Sequence, residues 1–315
     1  MIIKKRNKPL PLRKYDVIGR RLRPHFPQLP EIQREQAIRA KGYEGEKAVD
    51  YHIDFLAEET TILHDVCLTV MGKQFQMDSL VITPHVIFPV DAKNYSGTIT
   101  FDTVLHQLTR DDGKKETGYN YPMTQAELQK FKLQKWIQER NLPVIPIYPL
   151  IAISNPGTII KVKGDERGLA KVVAHAAKIP SMILEKNKEY SETYSKINDR
   201  KLGHTILREC VEFNIDVIKK HSIQASNLMP GVQCPACERL GMKRIHGTWE
   251  CRHCFTRSKS AHHQALADYM LVVKPWITNT ECMQFLQLKS RSVATRILRS
   301  SNLIYQKEYR RWGRG

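Results

Sequence analysis

An apolar segment carrying a single acid, Gln76-Met77-Asp78-Ser79-Leu80-Val81-Ile82, turns at Pro84 into a second one that ends Val90-Asp91-Ala92-Lys93-Asn94. Strand side chains alternate faces, so Asp91 and Lys93 point the same way, about 7 Å apart. If the two strands pair, Asp78 comes beside Asp91. Charges set among runs such as Val86-Ile87-Phe88-Pro89-Val90 need a partner or a task. Two carboxylates and a lysine at one strand end would suit one task in particular. They would hold a divalent cation against a phosphodiester while the lysine positions or activates water. For a lone Asp-x-Lys, a hairpin with water-facing charges is the plainer alternative.

With 315 residues, 41% of them hydrophobic, the chain has material for two or three domains, at least one with a substantial core. Fifty Lys and Arg against 32 Asp and Glu leave a net charge of +18. That excess implies a polyanionic partner, nucleic acid before anionic membrane. Basic residues crowd both ends, from Lys4, Lys5 and Arg6 to Arg310, Arg311 and Arg314. No apolar run reaches the length of a membrane span. Pro9 and Pro11 stand where a secretion signal would have its apolar core, so a cytoplasmic protein is expected. Seven cysteines, an odd number, point to metal rather than a disulfide framework.

Periodicity places a helical stretch from about Glu31, interrupted at Gly42–Gly45 and continuing through Leu56. Strands are expected at 61–70, 74–83, 86–93 and 98–101. A helix opening at Asn120-Tyr121-Pro122 should run to about Glu139. Strands at 144–154 and 158–162 follow, then a helix near 168–177, a short strand at 181–185 and a helix near 195–220. That order describes an α/β sandwich. A linker is expected at Ser222–Gly231.

Cys234-Pro235-Ala236-Cys237 and Cys251-Arg252-His253-Cys254 are separated by thirteen residues. Two such knuckles form a zinc-ribbon pattern, with four thiolates for a tetrahedral ion. Some thirty residues bury too little core to fold unaided, so the zinc would be structural. Cys67, Cys210 and Cys282 sit in apolar patterns and are expected as buried thiols. Three short helices follow, at 262–273, 281–286 and 291–300. Thr278 or Thr280 would cap the second, and Ser290 the third. In the last, Val293, Ala294, Ile297 and Leu298 form the buried stripe, with Ser292, Thr295, Arg296 and Arg299 opposite. This describes a helix-turn-helix whose last helix enters the major groove, Ser290 and Arg291 leading. The residues after Leu303 would form a small wing or a stacking surface.

These pieces together resemble the nuclease-related (NERD) domain proteins. The likeness rests on Gly45-Glu46, Phe75-Gln76-Met77-Asp78, Asp91-Ala92-Lys93-Asn94-Tyr95-Ser96-Gly97, Asn120-Tyr121-Pro122 with Gln125, and Ile151-Ala152-Ile153-Ser154-Asn155-Pro156. It covers roughly residues 1–220. It implies the PD-(D/E)xK nuclease fold, a restriction-endonuclease-like mixed sheet flanked by helices. By position it makes Asp78 the first metal carboxylate, Asp91 the second and Lys93 the lysine of the motif. Glu46 becomes the helix glutamate that reaches the metal directly or through water. Gln125 would orient the site or contact the substrate. Asp91 stands where the motif usually carries glutamate, one methylene longer.

The segments expected are a basic arm (1–40), a nuclease-like domain (41–221), a zinc ribbon (222–260) and a helix-turn-helix domain (261–315). The function expected is a Mg²⁺- or Mn²⁺-dependent DNA endonuclease. Asp78, Asp91 and the Ala92 carbonyl, with Glu46, would hold one or two cations, and double-stranded DNA would be the partner. RNA, homo-oligomerisation and a non-catalytic DNA-binding regulator on a degenerate nuclease fold stay open.

Overall fold

The computed structural model describes residues 1–314. In chain order, β1 (Ile2–Lys4), α1 (Leu10–Arg21) and α2 (Leu29–Ile53) precede the strands β2 (Thr61–Val70), β3 (Lys73–Ile82), β4 (Ile87–Lys93), β5 (Thr98–Asp102), β6 (Gln107–Asp111) and β7 (Glu116–Tyr119). Next come α3 (Pro122–Glu139), β8 (Leu150–Ile153), β9 (Ile159–Lys163), α4 (Glu166–Ala170), β10 (Val173–His175), α5 (Ile179–Ser191) and α6 (Asp199–Glu209). The remainder comprises α7 (Val217–Lys220), β11 (Lys243–Ile245), β12 (Thr248–Glu250), β13 (Arg257–Ser258), α8 (His262–Val272), β14 (Trp276–Ile277), α9 (Asn279–Phe285), α10 (Arg291–Arg299), β15 (Ile304–Gln306) and β16 (Arg311–Gly313). The chain divides into two compact units. One is Met1–Leu10 with Ala37–Phe213; the other is Pro11–Gln36 with the chain from Asn214 onward.

The first unit is built on a mixed six-stranded sheet in the order β1-β2-β3-β4-β8-β10. The hairpins β2–β3 and β3–β4 are antiparallel, while β1 on β2, β8 on β4 and β10 on β8 are parallel. Alternation sends Leu80, Ile82 and Ile87 to a core with Leu133, Trp136 and Ile137 of α3 and Leu202 and Ile206 of α6. Val81, Phe88 and Val90 face Val49 and Ile53 of α2 and Ile179 and Ile183 of α5. A sheet buried on both faces needs near-continuous apolar strands, which β4 and β8 supply. A second sheet, β7-β6-β5-β9, shares a core with β8 and Ala126 of α3 through Ile99, Phe101, Leu108, Ile151 and Ile153.

One irregularity positions the acids. The β2–β3 register runs through His64↔Ser79 and Val66↔Met77 but skips Asp65 and Asp78. Asp65 has φ 53°. Met77 and Leu80 consequently pack in the same core although they are three residues apart. Breaks of this kind re-aim a side chain next to a site.

Several expectations are revised. Helix α2 passes through Gly42 and Gly45 without interruption. The first forty residues, read as an arm, contribute β1 to the sheet and hold α1 and the start of α2. The strand expected at 144–154 is confined to β8. The helix near 168–177 is the five-residue α4 followed by β10, and the helix near 195–220 is two helices, α6 and α7. The strand expected at 181–185 lies inside α5, where Pro180 in the first turn favours a helix start and Ile179, Met182 and Ile183 recur at helical spacing on the buried side. Strands β6 and β7 went unforeseen because both are polar and largely exposed.

In the second unit, β11, β12 and β13 form an antiparallel sheet around the cysteine knuckles. Helices α8, α9 and α10 pack with the small sheet β14-β16-β15 around Leu266, Cys282, Leu286, Ala294, Ile297, Leu298 and Trp312. Thr278 caps α9 in a reciprocal capping box with Glu281. Fully buried Arg21 donates through Nε to Asp268 Oδ2 at 2.8 Å and through Nη1 to the carbonyls of Met229 and Gly231. Cys67 and Cys282 are buried, whereas Cys210 is half-buried.

The two α2 glycines predict opposite outcomes. A Cβ at Gly45 would lie 2.5 Å from Asn94 Cβ and 2.9 Å from Ser154 Oγ, whereas one at Gly42 meets nothing within 4 Å. In urea unfolding, Gly45→Ala should cost about 1–3 kcal/mol by forcing α2 off the end of β4. Gly42→Ala should stabilise by roughly 0.5–1 kcal/mol. Equal effects would contradict this packing.

Candidate active site

Asp78 and Asp91 are the residues next to the Ser79↔Val90 pair that ends the β3–β4 ladder. Asp78 Oδ2 accepts the Ala92 N–H at 2.9 Å. Asp91 is 2% exposed. Its Oδ2 is 2.7 Å from Lys93 Nζ, and its Oδ1 accepts from Gln125 Nε2 at 3.2 Å. Gln125 Oε1 in turn accepts from Lys93 Nζ at 3.0 Å. The structure therefore brings Asp78, Asp91, Lys93 and Gln125 together, with Gln125 supplied by the first turn of α3. Local sequence explains the placement. Asp91 and Lys93 share the α3 face of β4 by alternation, and Pro122 at the head of α3 sets where Gln125 falls.

Glu46 arrives from α2, the helix on the opposite face of the sheet. Its Oε2 is 2.6 Å from Arg6 Nη1. Arg6, two residues beyond β1 and only 4% exposed in its side chain, was given no role in the site by the sequence. Its Nε donates to Asp50 Oδ2 at 2.6 Å, and its Nη2 to Asp50 Oδ1 at 3.0 Å, to the Asp78 carbonyl at 2.6 Å and to Ser79 Oγ at 3.1 Å. Asp50 lies one turn after Glu46, on the same side of α2. It also accepts from Ser79 Oγ at 3.0 Å and lies 2.9 Å from His64 Nδ1. Lys4 donates to the carbonyls of His64 and Asp65. The i, i+4 spacing of Glu46 and Asp50 was the available signal for a shared cationic partner.

Burial, with crowding second, governs the electrostatics. Burial, then the neighbouring Asp78, pushes Asp91 up to about 7 against the pull of Lys93. Burial followed by Asp78 raises Glu46 to about 7 as well, with Arg6 opposing. Asp78 is also raised, chiefly by burial. Asp50 behaves oppositely: burial works against its charge, but hydrogen bonds from His64 and Arg6 prevail and hold its carboxyl below the usual range. Burial lowers Lys93, but Asp91 and Asp78 outweigh it and keep the ammonium charged. Oxygen donors that resist ionisation because they are buried, and next because they lie near one another, suit a hard divalent cation, which would favour their charged forms. The fit is one of chemistry. Among the described residues, the four cysteines are the group of three or more metal-ligating side chains gathered within 4.8 Å, whereas the carboxylates are held by amide, lysine and arginine partners.

The cysteines form a symmetric cluster. Sγ separations are 3.5 Å for Cys234 and Cys254 and 3.6 Å for Cys237 and Cys251. The Ala236 and His253 amides each donate to the first thiol of their knuckle at 3.4 Å. Residues Glu238 and Phe255, one after each knuckle, turn through φ 57° and 58°. A zinc tetrahedron with about 2.3 Å Zn–S bonds has edges of about 3.8 Å, so the four thiols have the donor set and spacing for that ion. In α10, Ser292, Arg296 and Arg299 are exposed and Arg291 leads the helix. Ser290 occupies the cap position, but its hydroxyl pairs with Ser292 Oγ instead of a helix amide. Thr295 is tied to Asn279 and to the Arg291 carbonyl.

Residues 41–154 match the family described as "Nuclease-related domain" (NERD). That span runs from α2 through the end of β8 and contains Glu46, Asp78, Asp91, Lys93 and Gln125, so this part of the chain carries a nuclease-related domain. The cysteine cluster and α8–α10 lie outside it. An uncharacterized protein of Bacillus anthracis is 26% identical over 200 residues, 61% of this chain and 87% of that protein. No solved structure matches. No helix among the described residues is long and apolar enough to cross a membrane.

Trp249 is fully buried in the core that includes Cys234 and Cys251. Removing metal with a strong chelator should expose it, shifting its fluorescence to longer wavelength, and Zn²⁺ should reverse the shift. An unchanged spectrum after complete metal removal would show that the cluster needs no ion.

Proposed function

We propose that the protein is a divalent-metal-dependent endonuclease that hydrolyses phosphodiester bonds of double-stranded DNA. The observation that carries the reading is the neighbouring pair Asp78 and Asp91, with Lys93 and Gln125 closing on Asp91. Asp78 and Asp91 would hold Mg²⁺ or Mn²⁺ with the Ala92 carbonyl. A strand residue sends its carbonyl to the same side as its amide, and the Ala92 amide meets Asp78. When bound, the cation supplies polarisation of the phosphate oxygens and a more acidic water. Lys93, oriented by Gln125, would hold the attacking water and stabilise charge as it develops. Glu46 and Arg6 would fix the far side of the acidic group.

In the same reading, Cys234, Cys237, Cys251 and Cys254 bind structural Zn²⁺ in a ribbon (222–260), and α9 and α10 form a helix-turn-helix (261–315). Its outer face, Arg291, Ser292, Arg296 and Arg299, would contact the duplex, with β15 and β16 as a small wing. Free thiols suit a reducing, cytoplasmic setting. A non-catalytic DNA-binding regulator is the second reading, and one observation favours it: the Glu46 carboxylate is already paired with Arg6.

Supercoiled-plasmid nicking with Mn²⁺ or Mg²⁺ separates the two. Asp78→Ala, Asp91→Ala and Lys93→Ala should each lower the rate by on the order of 10²–10³-fold or more while duplex binding persists. Normal cutting by any of the three would refute the site, and binding without cutting by the wild type in either metal would favour the regulator. Proton competition gives an independent check. Because burial pushes Asp91 up to about 7 and the carboxylate binds metal only when ionised, Mn²⁺ affinity should fall at least about tenfold per pH unit below that value and flatten as the pH rises past it. A flat profile from pH 5.5 to 8 would remove Asp91 from the ligand set.

A further inference from the structure

We propose that Arg6 takes the place of a second metal ion, so that the acidic group carries one divalent cation per chain and Glu46 is not its ligand. The inference rests on the endonuclease reading and sharpens it.

Arg6 is buried and bonded through all three guanidinium nitrogens. Its guanidinium donates to both Asp50 oxygens, to Glu46, to the Asp78 carbonyl and to Ser79 Oγ. It is delivered by the sheet itself, since β1 pairs with β2 as far as Lys4↔Leu63 and Lys4 binds the carbonyls of His64 and Asp65. The Asp78 carbonyl is available to Arg6 because the β2–β3 ladder skips Asp65 and Asp78. On the α2 side, the positive charge that neutralises Glu46 and Asp50 is therefore built into the chain. Geometry disfavours a further ion there: a cation on Glu46 Oε2 would meet Arg6 Nη1, now 2.6 Å from that oxygen, and be repelled.

Charge balance gives the same count. Fully ionised, as metal binding requires, Glu46, Asp50, Asp78 and Asp91 would carry four negative charges against Arg6, which contacts Glu46 and Asp50, and Lys93, which contacts Asp91. The two charges left over match one divalent ion, and the pair left without an arginine is Asp78 and Asp91. Arg6 directs its hydrogen bonds to Glu46, Asp50, Ser79 and the Asp78 carbonyl. It is a positioning residue, acting through Glu46, Asp50 and the Asp78 backbone.

The test counts Mn²⁺ on the full-length, zinc-replete chain by electron paramagnetic resonance of free Mn²⁺. The wild type should bind one Mn²⁺, lost in Asp78→Asn. Arg6→Gln, which keeps hydrogen-bonding capacity but removes the charge, should bind two. Arg6→Lys should return to one. Glu46→Gln should also bind one, and it keeps the test open if Arg6→Gln fails to fold. Two Mn²⁺ on the wild type, both lost in Asp78→Asn, would overturn the inference and leave the endonuclease reading standing, as would loss of the ion in folded Glu46→Gln or a single ion on folded Arg6→Gln. No Mn²⁺ on the wild type would overturn the endonuclease reading itself.

Discussion

Carboxylates of like charge at the end of apolar strands repel one another and resist burial, and this unit's architecture answers that constraint. The skipped position in the β2–β3 ladder turns Asp78 out of regular alternation and frees its carbonyl. A freed carbonyl beside a buried acid calls for a cationic donor, and Arg6 fills the role from just beyond β1, an edge strand of the sheet. For Arg6 to reach Glu46 and Asp50 as well, α2 must lie close against the end of β4. Gly45 permits that approach where any Cβ would strike Asn94. The break, the edge strand, the glycine and the helix are thus parts of one solution. Removing a single partner would leave an uncompensated buried charge, which costs far more than the net worth of the pair.

How much of this was legible follows from the range of each interaction. Alternation is local, so Asp91 and Lys93 sharing a face could be read directly, and pairing through a short turn brought Asp78 alongside. Gln125 was placed by a helix start marked by Pro122. Arg6 was hidden because its partners lie 40 to 73 positions away, and within a basic run it resembled a solvated arm. Ser181–Glu185 misled for a different reason: a short apolar run fits a buried strand or a helix segment equally, and length decides between them. The hairpin of β6 and β7 did carry a turn signal, Asp112-Gly113, with Gly113 at φ 84°. Its flanking strands lacked the apolar alternation that would have given the signal weight.

The cysteine cluster was legible from spacing alone because each knuckle is a self-contained turn. The structure adds the symmetry of the two turns, each with its own amide-to-sulfur bond and left-handed residue. The three helices beyond it were read from caps and stripes; of the expected stripe, Ala294, Ile297 and Leu298 are buried and Val293 is partly buried against the same core. The cap at Ser290 departs from expectation because a serine two residues on competes for its hydroxyl.

That competition bears on how α10 would meet DNA in the proposed reading. Of the six side chains nominated there, the Ser290 hydroxyl is engaged with Ser292. Thr295 is bound to Asn279, which also accepts from Trp312 Nε1 at 2.8 Å. A threonine built into a link between α10, α9 and β16 cannot turn to a base edge without giving up that link. The groups left for a duplex are mainly Arg291, Arg296 and Arg299. Guanidinium groups serve phosphate oxygens as well as guanine edges. With few uncharged donors beside them, phosphate contact would dominate, and such binding weakens steeply with salt while discriminating little between sequences.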